Sequence, residues 1–201
     1  SGVITVTFNM IILNLAGNTG VAAYGVVANT SLVAVALFNG IAQGSQPLIS
    51  RSYGRGEEQN VRSLLKMSLT TAFGLGVLLV LFIFFSAPAV TAVFNSEHDL
   101  QLAAYADSGL KLYFIGFLFA GINIVGTAAL SAVESVKYAF CASISRGFVA
   151  TIFFAFVLSA CFKMTGIWLA FPAAEFATMF ITLSGLLYFT KQKGGMYHAK
   201  N

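Results

Sequence analysis

Residues 21–56 read VAAYGVVANTSLVAVALFNGIAQGSQPLISRSYGRG. From Gly20 to Gln46 no residue carries a charge, and then Arg51 and Arg55 arrive around the turn Gly54-Arg55-Gly56. An apolar run of that length, at about 1.5 Å per helical residue, crosses the roughly 30 Å of hydrocarbon in a bilayer. The stretch therefore reads as a membrane-spanning helix that ends in a basic loop.

Working outward, four further stretches are long and apolar enough to span: about 64–94, 110–133, 138–162 and 166–190. A sixth, about 1–16, is several turns short. Its apolar residues run from Val3 to Leu15 with no initiator Met or signal-peptide pattern ahead of them, so the chain is read as part of something longer. Turn-forming residues separate the stretches: Gly17-Asn18-Thr19-Gly20, Asn95-Ser96-Glu97 and Met164-Thr165-Gly166. Strict polar/apolar alternation over ten residues is absent, which argues against a transmembrane barrel. The expected fold is all-α, a polytopic membrane protein built as a six-helix bundle.

Composition agrees. Of 201 residues, 58% are hydrophobic and only 9% charged, and the mean hydropathy is +0.84. Soluble domains carry about 25% charged residues, so this chain cannot clothe a water-facing surface. A soluble enzyme, a nucleic-acid binder and a disordered protein are all excluded. The net charge of +4 then reports topology. Arg51, Arg55, Arg62, Lys66, Lys137, Arg146, Lys191, Lys193 and Lys200 fall on one side when six spans alternate, against Lys111 and Lys163 on the other. By the positive-inside rule the basic side, with both ends of the chain, is cytoplasmic. The expected location is the plasma membrane, as in a bacterial inner membrane.

Charge within hydrocarbon costs several kcal/mol, so an intramembrane acid is a functional candidate by default. Glu175, about nine residues into the last stretch, is the clear one. It can carry a proton or bind a cation in a transport cycle, or it can serve as a plain interhelical hydrogen-bonding group. Arg146 lies about two turns inside its span and is expected to snorkel to the interface as an anchor. Asn9, Asn14, Asn29, Asn39, Gln43, Gln46 and Asn123 bring amides that lipid cannot satisfy. Interhelical polar contacts account for most of them. The functional alternative is a mixed amide and aromatic wall, with Tyr24, Phe8, Phe38 and Phe117 nearby, suited to amphipathic organic ligands and to cations over ring faces.

Pro47 and Pro172 interrupt helical hydrogen bonding, Pro172 three residues before Glu175. Gly40 and Gly44 form a GxxxG pair, usually a close helix contact. Cys141 and Cys161 stand about 30 Å apart on one helix and read as small packing residues. His98 and His198 are unclustered and outside the spans. No metal site is expected. HExxH, GxSxG, Walker and CxxC patterns are all absent, so neither an intramembrane enzyme nor an ATP-driven pump has support.

Residues 21–56, with their AYG start, Gly-rich middle and QPLIS-x-x-YG-x-G end, resemble the eighth helix and following loop of the MATE (multidrug and toxic compound extrusion) transporters. Residues 166–175, GIWLAFPAAE, are similar to the opening of that family's twelfth helix, and Ser145-Arg146 to a part of the eleventh. Order and spacing agree over nearly the whole chain and place it as the C-terminal half, helices seven to twelve.

The resemblance implies one lobe of a twelve-helix transporter whose two bundles rock about a central cavity. Such proteins exchange H+ or Na+ for organic cations or amphipathic drugs and metabolites. The implied partners are those small molecules, the lipid bilayer and the N-terminal lobe of the same transporter, with no nucleic acid and no cofactor beyond the coupling ion. Some members place acids in helices seven and ten; here those places hold the neutral Asn9 and Asn123. Cation coupling therefore falls to Glu175 or to the other lobe. The candidate substrate-cavity residues are Tyr24, Asn29, Phe38, Asn39, Phe117 and Asn123. Two other readings stay open. One is a lipid-linked oligosaccharide flippase of the same superfamily, which would want several intramembrane Arg or Lys where this chain has only a peripheral Arg146. The other is a non-transporting membrane assembly subunit, which predicts no solvated cavity.

Overall fold

The computed structural model describes residues 2–198, with side chains described to residue 190. All its elements among the described residues are helical: α1 (Gly2–Gly54), α2 (Glu58–Phe94), α3 (Leu100–Phe114), α4 (Phe117–Ala132), α5 (Val136–Ile144), a π-helical turn (Ser145–Val149) and α6 (Ala150–His198). Lys200 and the side chains of Lys191, Lys193 and His198 lie outside what is described.

At 53 residues, α1 would form a rod of about 80 Å if straight, far more than a bilayer's hydrocarbon. It is divided at Gly17, whose φ of 63° and ψ of −158° belong to a region that essentially only glycine occupies. The division falls inside Gly17-Asn18-Thr19-Gly20. α6 is divided in the same way at Lys163 (φ 52°, ψ −128°), where a lysine accepts a backbone that favours glycine. The two arms of α6 meet closely just beyond that point: a Cβ on Gly166 would collide with the carbonyl oxygen of Leu158. Backbone angles remain helical at Pro47 and Pro172, so neither proline breaks its helix.

The fourth expected span, 110–133, begins ten residues earlier than the hydropathy suggests. Asp99 caps α3 by accepting from the amides of Gln101 (2.8 Å) and Leu102 (3.2 Å), and Asn95 braces the cap from both sides. Asp107 and Lys111 pair at 2.8 Å one turn apart, so the charges that depress hydropathy stabilise the helix. α3 and α4 then bend by 46°, and the corner at Gly116 packs on Phe171 and Pro172.

α4 lies centrally, in contact with α1, α2, α5 and α6. The main core joins Phe8, Ile12, Tyr24, Phe38, Leu110, Phe117, Val125 and Trp168, and a smaller one joins Ile49, Leu65, Leu130 and Phe189 beside the basic end. Arg62 Nη2 closes that end by donating to Glu58 Oε1 (2.6 Å) and the Thr190 carbonyl (3.4 Å). Outward, Leu78, Phe82, Phe84, Phe85, Phe153, Phe156 and Phe180 stand exposed. In water such a surface would aggregate; against lipid it is the solvated one. Among the described residues, three helices are long and apolar enough to cross a membrane, four with the bent α3–α4 pair.

Two expectations need correction. Gly40 and Gly44 touch nothing within 4 Å at the Cβ position, so their GxxxG pair makes no close contact among the described residues. Cys141 and Cys161 are exposed rather than packed, because both fall on faces of their helices that no neighbour covers.

Candidate functional site

A polar network ties α4, the π turn and α6 together, and Glu175 is its centre. Glu175 Oε1 accepts from Arg146 Nε at 2.7 Å, and Oε2 accepts from Asn123 Nδ2 at 2.8 Å. The same amide donates to the Glu175 carbonyl at 2.8 Å, and Asn123 Oδ1 accepts from Thr182 Oγ1 at 2.9 Å. Each polar atom of Asn123 is thereby engaged, which is what burial demands.

The π turn presents this pairing. Its wider pitch leaves the Arg146 carbonyl to Thr151 Oγ1, five residues on, at 2.8 Å. Ser145 and Thr178 share a hydroxyl hydrogen bond of 3.0 Å. Glu175 and Thr178 lie three apart on one face of α6, so consecutive residues of the turn seat on one stripe.

Arg146 is therefore not the interfacial anchor that its depth suggested. Its Nε turns inward because Glu175 would otherwise be an unpaired buried charge, a cost far above that of bending a side chain. Of the pair, Glu175 is sealed, with 3% of its side chain exposed, while Arg146 keeps 29%.

That exposed part enters an open cleft of about 680 Å³, whose walls come from both arms of α1, the end of α3, the π turn and α6. Tyr113 and Phe171 stack at 4.3 Å between ring centres, nearly parallel at 7°, and form an aromatic wall. Tyr24 forms another, backed by Phe8 at 5.3 Å and Trp168 at 6.4 Å. Thr5, Asn9, Asn29, Ser31 and Thr151 supply polar edges, and Gly147 leaves open space beside Arg146.

The expected cavity residues separate into three groups. Tyr24 and Asn29 line the cleft together with Glu175. Phe38, Phe117 and Asn123 do not; all three are fully buried. Phe117 sits 5.2 Å behind Phe171, and Phe38 sits 6.0 Å from Phe117, so these rings support the wall from within. Asn39 is exposed away from the cleft. The amide of Asn29 donates to the Gly25 carbonyl at 2.8 Å, and that of Asn14 to Met10 at 3.0 Å, each within its own helix rather than between helices. Tyr113, Phe171 and Thr151 were missed by the sequence reading. One signal was available: Glu175 and Arg146 are the acid and the base furthest inside the spans expected from sequence, and desolvation drives such charges together. Among the described residues no group of three or more His, Cys, Asp or Glu is gathered to hold a metal ion.

This arrangement defines a class, an all-helical protein with helices suited to a membrane and an open, aromatic-walled cleft. The chain superposes on an outward-facing multidrug resistance MATE family transporter of the MOP superfamily with a TM-score of 0.87 at 16% identity, covering 96% of this chain and 44% of that one. An inward-facing conformation of such a transporter gives 0.88 at 17%, with the same coverage. A MOP superfamily transporter from Pyrococcus furiosus, in which reverse polarity of the binding pocket suggests a different function, gives 0.80 at 16% over 95% of this chain and 42% of that one. These likenesses establish a shared fold, and the chain spans less than half the length of each. No curated protein matches the sequence. Residues 3–157 match the MatE family model, and the chain belongs to that family.

Proposed function

We propose that this chain is one six-helix lobe of a twelve-helix secondary transporter that moves amphipathic organic molecules out of the cell in exchange for H+ or Na+. The observation that carries the reading is the open cleft, walled by aromatic rings and edged by amides and hydroxyls, on a bundle otherwise dressed for lipid. Ligand cavities have this make-up. Six spans follow if the breaks at Gly17 and Lys163 are the membrane-edge turns of α1 and α6 and the bent α3–α4 pair is one crossing. With six, both ends are cytoplasmic and the basic loops face the cytoplasm.

A second lobe is implied by the face that this one leaves open. Asn29, Asn39 and Gln43 are exposed along the second arm of α1, with Gly40 and Gly44 unfilled beside them. Lipid satisfies no amide, so this stripe belongs against a cavity or a partner of the same depth. Near-equal likeness to outward- and inward-facing transporters is what a lobe that rocks as a unit would give.

One observation favours a second reading. Arg146 stands in the cleft rather than at the interface, and a guanidinium there is one of the several basic groups that a flippase for anionic, lipid-linked oligosaccharides would want. An assembly subunit with no cavity has no such support.

The test uses the complete gene that encodes this chain, expressed in a host lacking its own efflux systems. Resistance to, and gradient-dependent extrusion of, amphipathic drugs and dyes is the expected result. No extrusion of any cationic, anionic or zwitterionic compound, together with flipping of lipid-linked oligosaccharide by reconstituted vesicles, would replace efflux by the flippase reading.

A further inference from the structure

We infer that the charged group received by this cleft is an anion: a carboxylate, or another monoanionic oxyacid group carried on an apolar aromatic body, held by the guanidinium of Arg146. This rests on reading the cleft as a substrate path, and it names the chemistry that the path accepts.

The argument turns on which half of the buried ion pair a ligand can reach. Both carboxylate oxygens of Glu175 already accept charge-assisted or amide hydrogen bonds, from Arg146 Nε at 2.7 Å and Asn123 Nδ2 at 2.8 Å. An incoming cation would have to break the first of these and leave a guanidinium in the cleft without its counter-ion, a costly arrangement away from water. An incoming anion breaks nothing. Arg146 uses only Nε for Glu175, and among the described residues neither Nη has a hydrogen-bond partner. A guanidinium offers five N–H donors in a planar fork, and carboxylate and phosphate oxygens match that fork two at a time. Room exists for the group: a Cβ on Gly147 would meet nothing within 4 Å. The stacked rings of Tyr113 and Phe171 line the same cleft and can take a flat apolar body.

The test compares three aromatic probes of one shape: 2-naphthoate, 2-naphthamide and 2-naphthylmethylammonium. Binding is measured to the product of the complete gene in phosphatidylcholine nanodiscs. 2-Naphthoate is expected to bind about tenfold or more tighter than either of the others, the scale of one charge-assisted hydrogen-bonding contact. The double variant Arg146→Gln/Glu175→Gln removes both charges and leaves an amide for Asn123, so it avoids burying a lone ion; naphthoate should fall to the level of naphthamide. Arg146→Lys keeps the charge but loses the fork and should fall between. Glu175→Gln frees the guanidinium and should tighten naphthoate several-fold, whereas loss of ammonium binding in that variant is what an acid acting as the ligand site would give. A parent that prefers the ammonium, or a double variant that keeps its preference for naphthoate, overturns the assignment.

Added phosphatidylglycerol tells the two sources of such an anion apart. Displacement of naphthoate marks a lipid headgroup, and no displacement marks a free organic acid; either outcome supports the anion site. Flux in vesicles is read separately. An anion preference with no flux of any probe removes the transport reading and leaves the site, and flux of the ammonium alone removes the site and leaves transport.

Discussion

At the scale of single residues, Asn123 shows why a neutral amide stands where related transporters are expected to place an acid. It donates twice to Glu175 and accepts once from Thr182, wholly buried. Asn123→Leu keeps the volume roughly and removes every one of these bonds, leaving the Glu175 carboxylate half-satisfied. Unmet buried groups cost about 1–3 kcal/mol each, so thermal unfolding in detergent should show a clear drop in Tm. Thr182→Val, which strips a single hydroxyl, should lower it much less. Equal, small effects from the two would show that the network adds little to the fold. From sequence, Asn123 and Glu175 were each legible as polar groups in the membrane, but 52 positions separate them along the chain, and nothing short of the fold says that they touch. The depth of Arg146 was equally legible. What misled was judging each charge alone, since a single Arg can snorkel whereas an Arg facing a buried Glu does better to pair.

Elements were easier to read than contacts. Hydropathy and turn residues located the helical stretches, because lipid imposes a length on any apolar run and glycine punctuates it. They failed where a helix was stabilised by means other than greasiness, as at the capped, ion-paired start of α3. They also could not foresee the π turn, which depends on Ser145 and Arg146 finding Thr178 and Glu175 on another helix. The break at Lys163 yields a prediction at this scale. A β-carbon at φ 52°, ψ −128° is strained by on the order of 1–3 kcal/mol, so Lys163→Gly should raise Tm or leave it unchanged, even though glycine loosens the unfolded chain. Lys163→Val, stiffer at the same angles, should lower it. A glycine variant markedly less stable than the parent would mean that the turn does not adopt these angles.

On the scale of the whole molecule, the ion pair constrains how transport can be coupled. Exchange of a cation for a substrate requires that each weaken the other's binding, since coupling between two ligands is reciprocal. A proton on Glu175 would do the opposite for an anionic substrate. Once neutral, Glu175 no longer competes for Arg146, so the guanidinium turns more fully to the ligand. Proton and anion would then bind together and travel together. Antiport of an anionic amphipath must therefore draw its mutual exclusion from elsewhere in the cavity, which on the proposed architecture means the other lobe. Vesicles holding the product of the complete gene decide this with Glu175→Gln. Naphthoate flux should slow, because a tighter hold delays release, yet the flux that remains should still respond to an imposed H+ or Na+ gradient. If instead naphthoate in that variant only runs down its own gradient, indifferent to both ions, then Glu175 is itself the coupling group, and on the proposed architecture this chain carries more of the transport cycle than half of a wall.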